Sequence, residues 1–209
     1  MVQSESIPAI VAFFNKAERF VRSNGFAWEI DACDRRPSFH TFTDQQFLRE
    51  YAWVVFNSGM KNRIVMQRWD ALSKAFRFFD VHRIQCAHPA VLKEALNIFG
   101  NYAKVNAVLE VAREVEAKWL YIKERILQDP LPVLDGFPFI GPVTKFHLAR
   151  NLGFDYIKPD RHLVRLGLKF NMTAVEFCEA IHQETGRRLG TVDVILWRYC
   201  EQNGQLRLL

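Results

Sequence analysis

Residues 130–168 read PLPVLDGFPFIGPVTKFHLARNLGFDYIKPDRHLVRLGL, and this stretch decides the fold. Pro130 and Pro132 bound a short helix ending near Leu134, and the tight turn of Phe137, Pro138, Phe139, Ile140 and Gly141 follows. Pro142 suits the first turn of a new helix, which runs through Phe146 and Leu148 to Gly153. The pattern predicts two helices joined by a hairpin over about 131–153. Gly141 is expected to take backbone angles closed to other residues. The amides after it then point along the new helix axis, where a phosphate binds without any side chain. Further on, Pro159 pushes Lys158 toward extended geometry and leaves Asp160 as the N-cap of a helix running to Arg165 and beyond. One helix and a return loop separate Gly141 from Asp160, enough chain to bring the carboxylate back beside the hairpin.

Outward from this segment, helical periodicity dominates and no stretch alternates with a period of two. Pro8 opens a helix with Ile10, Phe13, Phe14, Ala17, Phe20 and Val21 on one face. Thr43 and Gln46 form a capping box before Phe47, Tyr51, Val54 and Val55. A break at Asn57, Ser58 and Gly59 precedes a helix carrying Ile64, Val65, Trp69, Leu72 and Phe76. Further helices fit 88–98 and 103–127. Thr173 and Glu176 make a second capping box, and Thr191 is expected to cap a last helix with Val194, Ile195, Trp197 and Tyr199. The expected fold class is all-α.

Composition narrows the functional classes. Hydrophobic residues make up 49% of the 209 and charged residues 24%, which excludes a disordered or low-complexity chain. No apolar run reaches the roughly 18 to 20 residues of a membrane span, so no membrane partner is expected. Residues 1–8 lack a basic region followed by an apolar core, so secretion is not expected and a cytoplasmic, nucleoid or nuclear location is. Cys33, Cys86, Cys178 and Cys200 are too scattered for a metal clip, which points to reduced, mostly buried thiols and no cofactor. His82, Cys86 and His88 cluster loosely but offer only three ligands, so no metal site is expected.

The net charge of +5 is unevenly placed. Residues 61–83 hold Lys61, Arg63, Arg68, Lys74, Arg77 and Arg83 against Asp70 and Asp80, a net +4. Residues 141–170 hold Lys145, Arg150, Lys158, Arg161, Arg165 and Lys169 against Asp155 and Asp160, again +4. The rest of the chain is acidic. Two such segments fit either a polyanionic partner such as a phosphate backbone or solvated helix faces.

The order of hairpin, helix and aspartate resembles the helix-hairpin-helix Gly/Pro–Asp superfamily of DNA glycosylases, the group that includes endonuclease III. Its hairpin reads approximately L-P-G-hydrophobic-G-x-K-T-A, followed after one helix by hydrophobic-x-D-x-H-x-x-R. Pro138, Ile140, Gly141 and Thr144 match the first part; Asp160, His162 and Arg165 match the second. The resemblance implies two helical lobes with the hairpin at a central cleft: residues 43–155 in one, residues 1–42 with 156–209 in the other. It makes Asp160 the catalytic carboxylate and places a DNA phosphate on Gly141, Ile140, Val143 and Thr144. It implies a base pocket drawn from Trp53, Phe56, Phe139 and His147, and Met60 or Lys61 as the wedge filling the gap left by a flipped base. His162 is as readily a local hydrogen-bonding residue as a DNA contact, and Arg165 is expected to pack or pair between the lobes rather than touch substrate.

Two departures shape the expected chemistry. Bifunctional members carry a lysine nucleophile two positions after the last hairpin glycine, where this chain has Val143. The terminal four-cysteine iron–sulfur loop of endonuclease III is also missing. A monomeric, monofunctional DNA repair glycosylase acting on double-stranded DNA with a lesion is therefore expected, with an alkylated base as first choice. Two alternatives stand beside it. One is a glycosylase with lyase activity that uses Lys145, for instance on oxidised guanine, although Lys145 is turned about 200° around the helix from Val143. The other is a non-catalytic helix-hairpin-helix DNA-binding protein.

Overall fold

In a computed structural model of the chain, which describes residues 6–203, every regular element is a helix and no strand occurs among the described residues. In chain order these are α1 (Ser6–Val21), α2 (Ala27–Asp34), α3 (Asp44–Asn57), α4 (Asn62–Ala75), α5 (Val81–Cys86), α6 (His88–Phe99), α7 (Tyr102–Gln128), α8 (Pro130–Asp135), α9 (Thr144–Asn151), α10 (Arg161–Lys169), α11 (Ala174–Thr185) and α12 (Leu189–Gln202). No helix is long and apolar enough to cross a membrane among the described residues.

The chain divides into two compact units. One is Pro37–Leu152; the other gathers the described residues before Pro37 and after Leu152. The resemblance implied limits near 43 and 155. The first unit begins earlier because a 3-10 turn, Phe39–Thr41, belongs to its core: Phe39 packs on Phe42, Phe47 and Trp119. Lys123 secures that turn by donating to the carbonyls of His40 at 2.7 Å and Phe42 at 2.9 Å.

Within Pro37–Leu152 the long helix α7 packs on α3. Both capping-box hydrogen bonds of Thr43 and Gln46 form, and the inward positions Phe47, Leu48, Tyr51, Val54 and Val55 are fully buried. The predicted break after Asn57 is real: Gly59 takes φ +69°, in the left-handed region open to glycine. A second break has no sequence signal. Arg77, Phe78 and Phe79 all take positive φ, 53° to 65°, between α4 and α5. Tertiary contacts hold this unfavourable turn: Arg77 grips Glu94 at 2.6 Å, Gln45 donates to the Phe78 carbonyl at 2.8 Å, and Phe79 is buried against Trp69 and Phe76.

In the second unit α1 buries Ile10, Phe14, Ala17 and Val21 against α11 and α12. The rings of Phe13 and Phe20 meet Tyr199 edge-on. Thr173 and Glu176 form the predicted capping box. Thr191 does not cap α12, however. Arg188 occupies the N-cap, and Thr191 lies inside the helix, buried, where its hydroxyl donates to Asp34 at 2.5 Å. A hydroxyl in the first turn serves a partner across the core as readily as its own helix end, and spacing alone does not separate the two.

Gly167 fixes how closely α10 and α11 approach. A Cβ there would stand 2.7 Å from the Met172 carbonyl oxygen and 2.8 Å from Thr173 C and O, all backbone atoms that cannot rotate away. Gly167→Ala is expected to destabilise the protein by about 1–3 kcal/mol despite alanine's better helix propensity. Gly141→Ala, where a Cβ meets nothing within 4 Å, is expected to leave stability unchanged. Urea titrations of the two variants check this, and equal midpoints would refute it.

Candidate active site

The α8–α9 connection is a rigid turn. Phe137 N–H donates to Leu134, and Ile140 N–H to Phe137, each at 3.1 Å. Phe137 and Ile140 are buried, and Phe137 packs on Phe47 and Tyr51. From α3, the Tyr51 hydroxyl donates to the Pro138 carbonyl at 2.9 Å. Pinned on both sides, the chain turns at Phe139, whose φ is +61°, and not at Gly141. The expected left-handed glycine is therefore corrected: Phe139 carries that conformation, half exposed, and Gly141 does not.

The N-terminus of α9 distributes its amides unevenly. The Gly141 N–H donates to Thr144 Oγ1 at 2.7 Å, and Lys145 N–H closes the first turn on the Gly141 carbonyl at 3.0 Å. The Ile140 and Gly141 amides are thus used within the turn. The Val143 and Thr144 amides have no acceptor among the described residues and head the helix. Of the four expected phosphate-binding positions, these two keep a free donor. Lys145 does not project alone, because its Nζ pairs with Asp135 Oδ2 at 3.2 Å and ties α9 to the end of α8.

The other expected site residues separate into exposed and enclosed. Met60 and Lys61 are exposed in the turn after α3. Trp53 is half buried, edge-on to Trp69 at 4.9 Å, and His147 is half buried on α9. Phe56 is fully enclosed between Phe76 and Phe99. Placing it in a base pocket is corrected to a core role, since stacking on a base would require opening that cluster.

One residue beside this turn was missed altogether. Lys104 of α7 is buried, and its ammonium donates to the carbonyls of Phe56 at 3.1 Å and Ser58 at 2.5 Å, capping the C-terminus of α3. Burial lowers its pKa. No spacing signal links residue 104 to a helix end 46 residues earlier.

Asp160 is the N-cap of α10, with extended backbone (φ −83°, ψ 176°). Its Oδ1 accepts from the amides of His162 at 2.8 Å and Leu163 at 3.3 Å. Its Oδ2 accepts no hydrogen bond among the described residues, and the side chain is half buried. The loop leading to it is held from α12. The buried Asp193 carboxylate accepts the Lys158 amide, Gly190 N–H donates to Asp155 at 3.0 Å, and Arg188 donates to the Gly153 carbonyl at 3.0 Å. One oxygen of Asp160 is thus fixed by the helix, while the other accepts no hydrogen bond among the described residues. Asp193 and Arg188 each lie 35 residues from the loop residue they hold, so no local spacing signal links them to it.

Burial lowers the pKa of His162, with Asp160 opposing and Arg161, Arg165 and Lys158 reinforcing the shift. Arg165 is exposed, and no carboxylate holds it among the described residues.

His82 Nδ1 lies 3.0 Å from Glu116 Oε1, and Cys86 Sγ lies 3.6 Å from His82 Nε2. Among the described residues no group of three or more His, Cys, Asp or Glu side chains is arranged to hold a metal ion. Comparison with protein-family models, curated proteins and solved structures returns no match for this chain.

Proposed function

We propose that this chain is a monofunctional DNA glycosylase that hydrolyses the N-glycosidic bond of a damaged base, with Asp160 as the catalytic carboxylate. The observation that carries the reading is the half-committed Asp160: Oδ1 held by two backbone amides, Oδ2 without a donor among the described residues. Breaking an N-glycosidic bond builds positive charge at C1′ of the sugar. A fixed carboxylate beside C1′ stabilises that charge and orients or deprotonates the attacking water. The reading requires the base to leave the stack first, at a cost of a few kcal/mol.

The turn before α9 supports the same reading. The amides of Val143 and Thr144, with a helix dipole behind them, suit a backbone phosphate. Exposed Met60 and Lys61 follow α3 on a turn that buried Lys104 holds in place, which suits a wedge. Phe139, exposed on its left-handed turn, remains available for stacking. An alkylated base, which leaves readily and carries positive charge, suits an aromatic pocket with little acid catalysis. Excision measured on a panel of single-lesion duplexes tests the proposal. Binding without release on every lesion would favour a non-catalytic DNA-binding protein.

Strand cleavage by an amine is the second reading, and the geometry at Lys145 weighs against it. Its Nζ is held by Asp135 Oδ2 at 3.2 Å, so it would have to leave that partner before attacking the sugar. Borohydride treatment during turnover is expected to trap no covalent DNA complex. A trapped complex that disappears in Lys145→Ala would establish the lyase instead.

A further inference from the structure

The arginines of the unit that contains Asp160 are mostly neutralised within it. Arg22 pairs with Glu18 and Asp31, Arg35 with Asp31, Arg187 with Glu18 and Asp34, Arg188 with Asp155, and Arg198 with Glu29 and Glu201. Helix α10 breaks this pattern. Leu163, Leu166 and Gly167 face the core, while Arg161, Arg165 and Lys169 are exposed and meet no carboxylate among the described residues.

These three cations recur every fourth residue, so they share one face of α10. A rise of 1.5 Å per residue spaces them about 6 Å apart and spreads them over about 12 Å. Exposed Val164 and Leu168 lie alongside. Glu176, across the groove between α10 and α11, is engaged in its capping box with Thr173. The face is therefore a row of uncompensated positive charge leading away from the N-cap carboxylate.

We infer that the exposed face of α10 is a nucleic-acid backbone track, with Arg161, Arg165 and Lys169 pairing with successive phosphates of the duplex. Phosphate charges on one strand recur every ~3.4 Å of duplex axis, dense enough for each cation to find a partner. The inference rests on the glycosylase reading for its choice of polyanion, because the track shares a helix with Asp160. It assigns the track to affinity and leaves bond cleavage to Asp160.

The test is equilibrium binding of a lesion-free duplex to the full chain between 50 and 200 mM salt. Wild type is compared with an Arg161→Gln, Arg165→Gln, Lys169→Gln triple variant and with Arg19→Gln on the exposed surface of α1 as control. Thermal melts of each establish that the exposed substitutions leave the fold intact. Loss of three phosphate contacts is expected to flatten the slope of log affinity against log salt by about 2.7. Wild type then loses about 40-fold more affinity than the triple variant over this range, and Arg19→Gln behaves as wild type. A steep wild-type slope that the triple variant keeps overturns the track alone. A wild-type slope near zero overturns the track and the DNA reading together. Vesicles containing phosphatidylserine form the last arm: charge-dependent binding there, with duplex binding unchanged in the triple variant, would assign the face to anionic lipid and overturn the inference.

Discussion

Asp160→Asn is expected to lower base release by about 10²–10⁴-fold while duplex binding survives. The substitution is nearly isosteric, and asparagine is as good an N-cap as aspartate, so the amides of His162 and Leu163 keep an acceptor and α10 keeps its start. What disappears is the negative charge of the carboxylate. On the proposed reading, developing charge at C1′ then loses its electrostatic partner and the attacking water loses the carboxylate that orients it. Single-turnover excision on a lesion that wild type processes, measured beside duplex affinity, separates chemistry from binding. Full activity in the variant would end the glycosylase assignment to this residue. Loss of both binding and melting temperature would instead mark Asp160 as a structural cap.

Glu29→Ala is expected to give the largest loss of stability, about 3–5 kcal/mol. Glu29 on α2 and Arg198 on α12 are both nearly enclosed, and the carboxylate meets the guanidinium through two hydrogen bonds, one of them 2.8 Å at Nε. The guanidinium also lies over the rings of Phe26 at 4.4 Å and Trp197 at 4.7 Å. Removing Glu29 leaves a desolvated cation whose remaining anion, Glu201, is part-exposed. Removing the cation as well, in Glu29→Ala with Arg198→Met, is expected to recover part of the loss, because an apolar side chain fits against the two rings without a buried charge. Denaturant unfolding of the single and double variants measures the coupling. A single-variant loss under 1 kcal/mol would show that the pair contributes little.

The contrast between Thr43 and Thr191 shows which local features were legible. Both threonines precede apolar helical positions. Thr43 has Gln46 three residues on and forms its box, a contact that closes within one turn. Thr191 has no such partner and turns to Asp34, 157 residues away. Phe56 and Phe139 divide in the same way. Each is an aromatic residue near a predicted turn, yet one is sealed against Phe76 and Phe99 while the other stands exposed at positive φ. The side-chain chemistry is identical; only the neighbours differ.

By itself the sequence determined the all-helical class, the breaks after α3 and α8, the two capping boxes and Asp160 as an N-cap. Each depends on contacts closed within about four residues, where spacing and residue type are sufficient. The tertiary structure decided that Phe139 rather than Gly141 takes the left-handed turn, because Tyr51, Phe47 and buried Ile140 hold the hairpin from outside it. It also decided that Asp193 secures the loop before Asp160, that Lys145 is tied to Asp135, and that Arg161, Arg165 and Lys169 meet no carboxylate among the described residues. A charge's environment is set by which distant carboxylates fold against it, and that arrangement follows from packing rather than from neighbours in the chain.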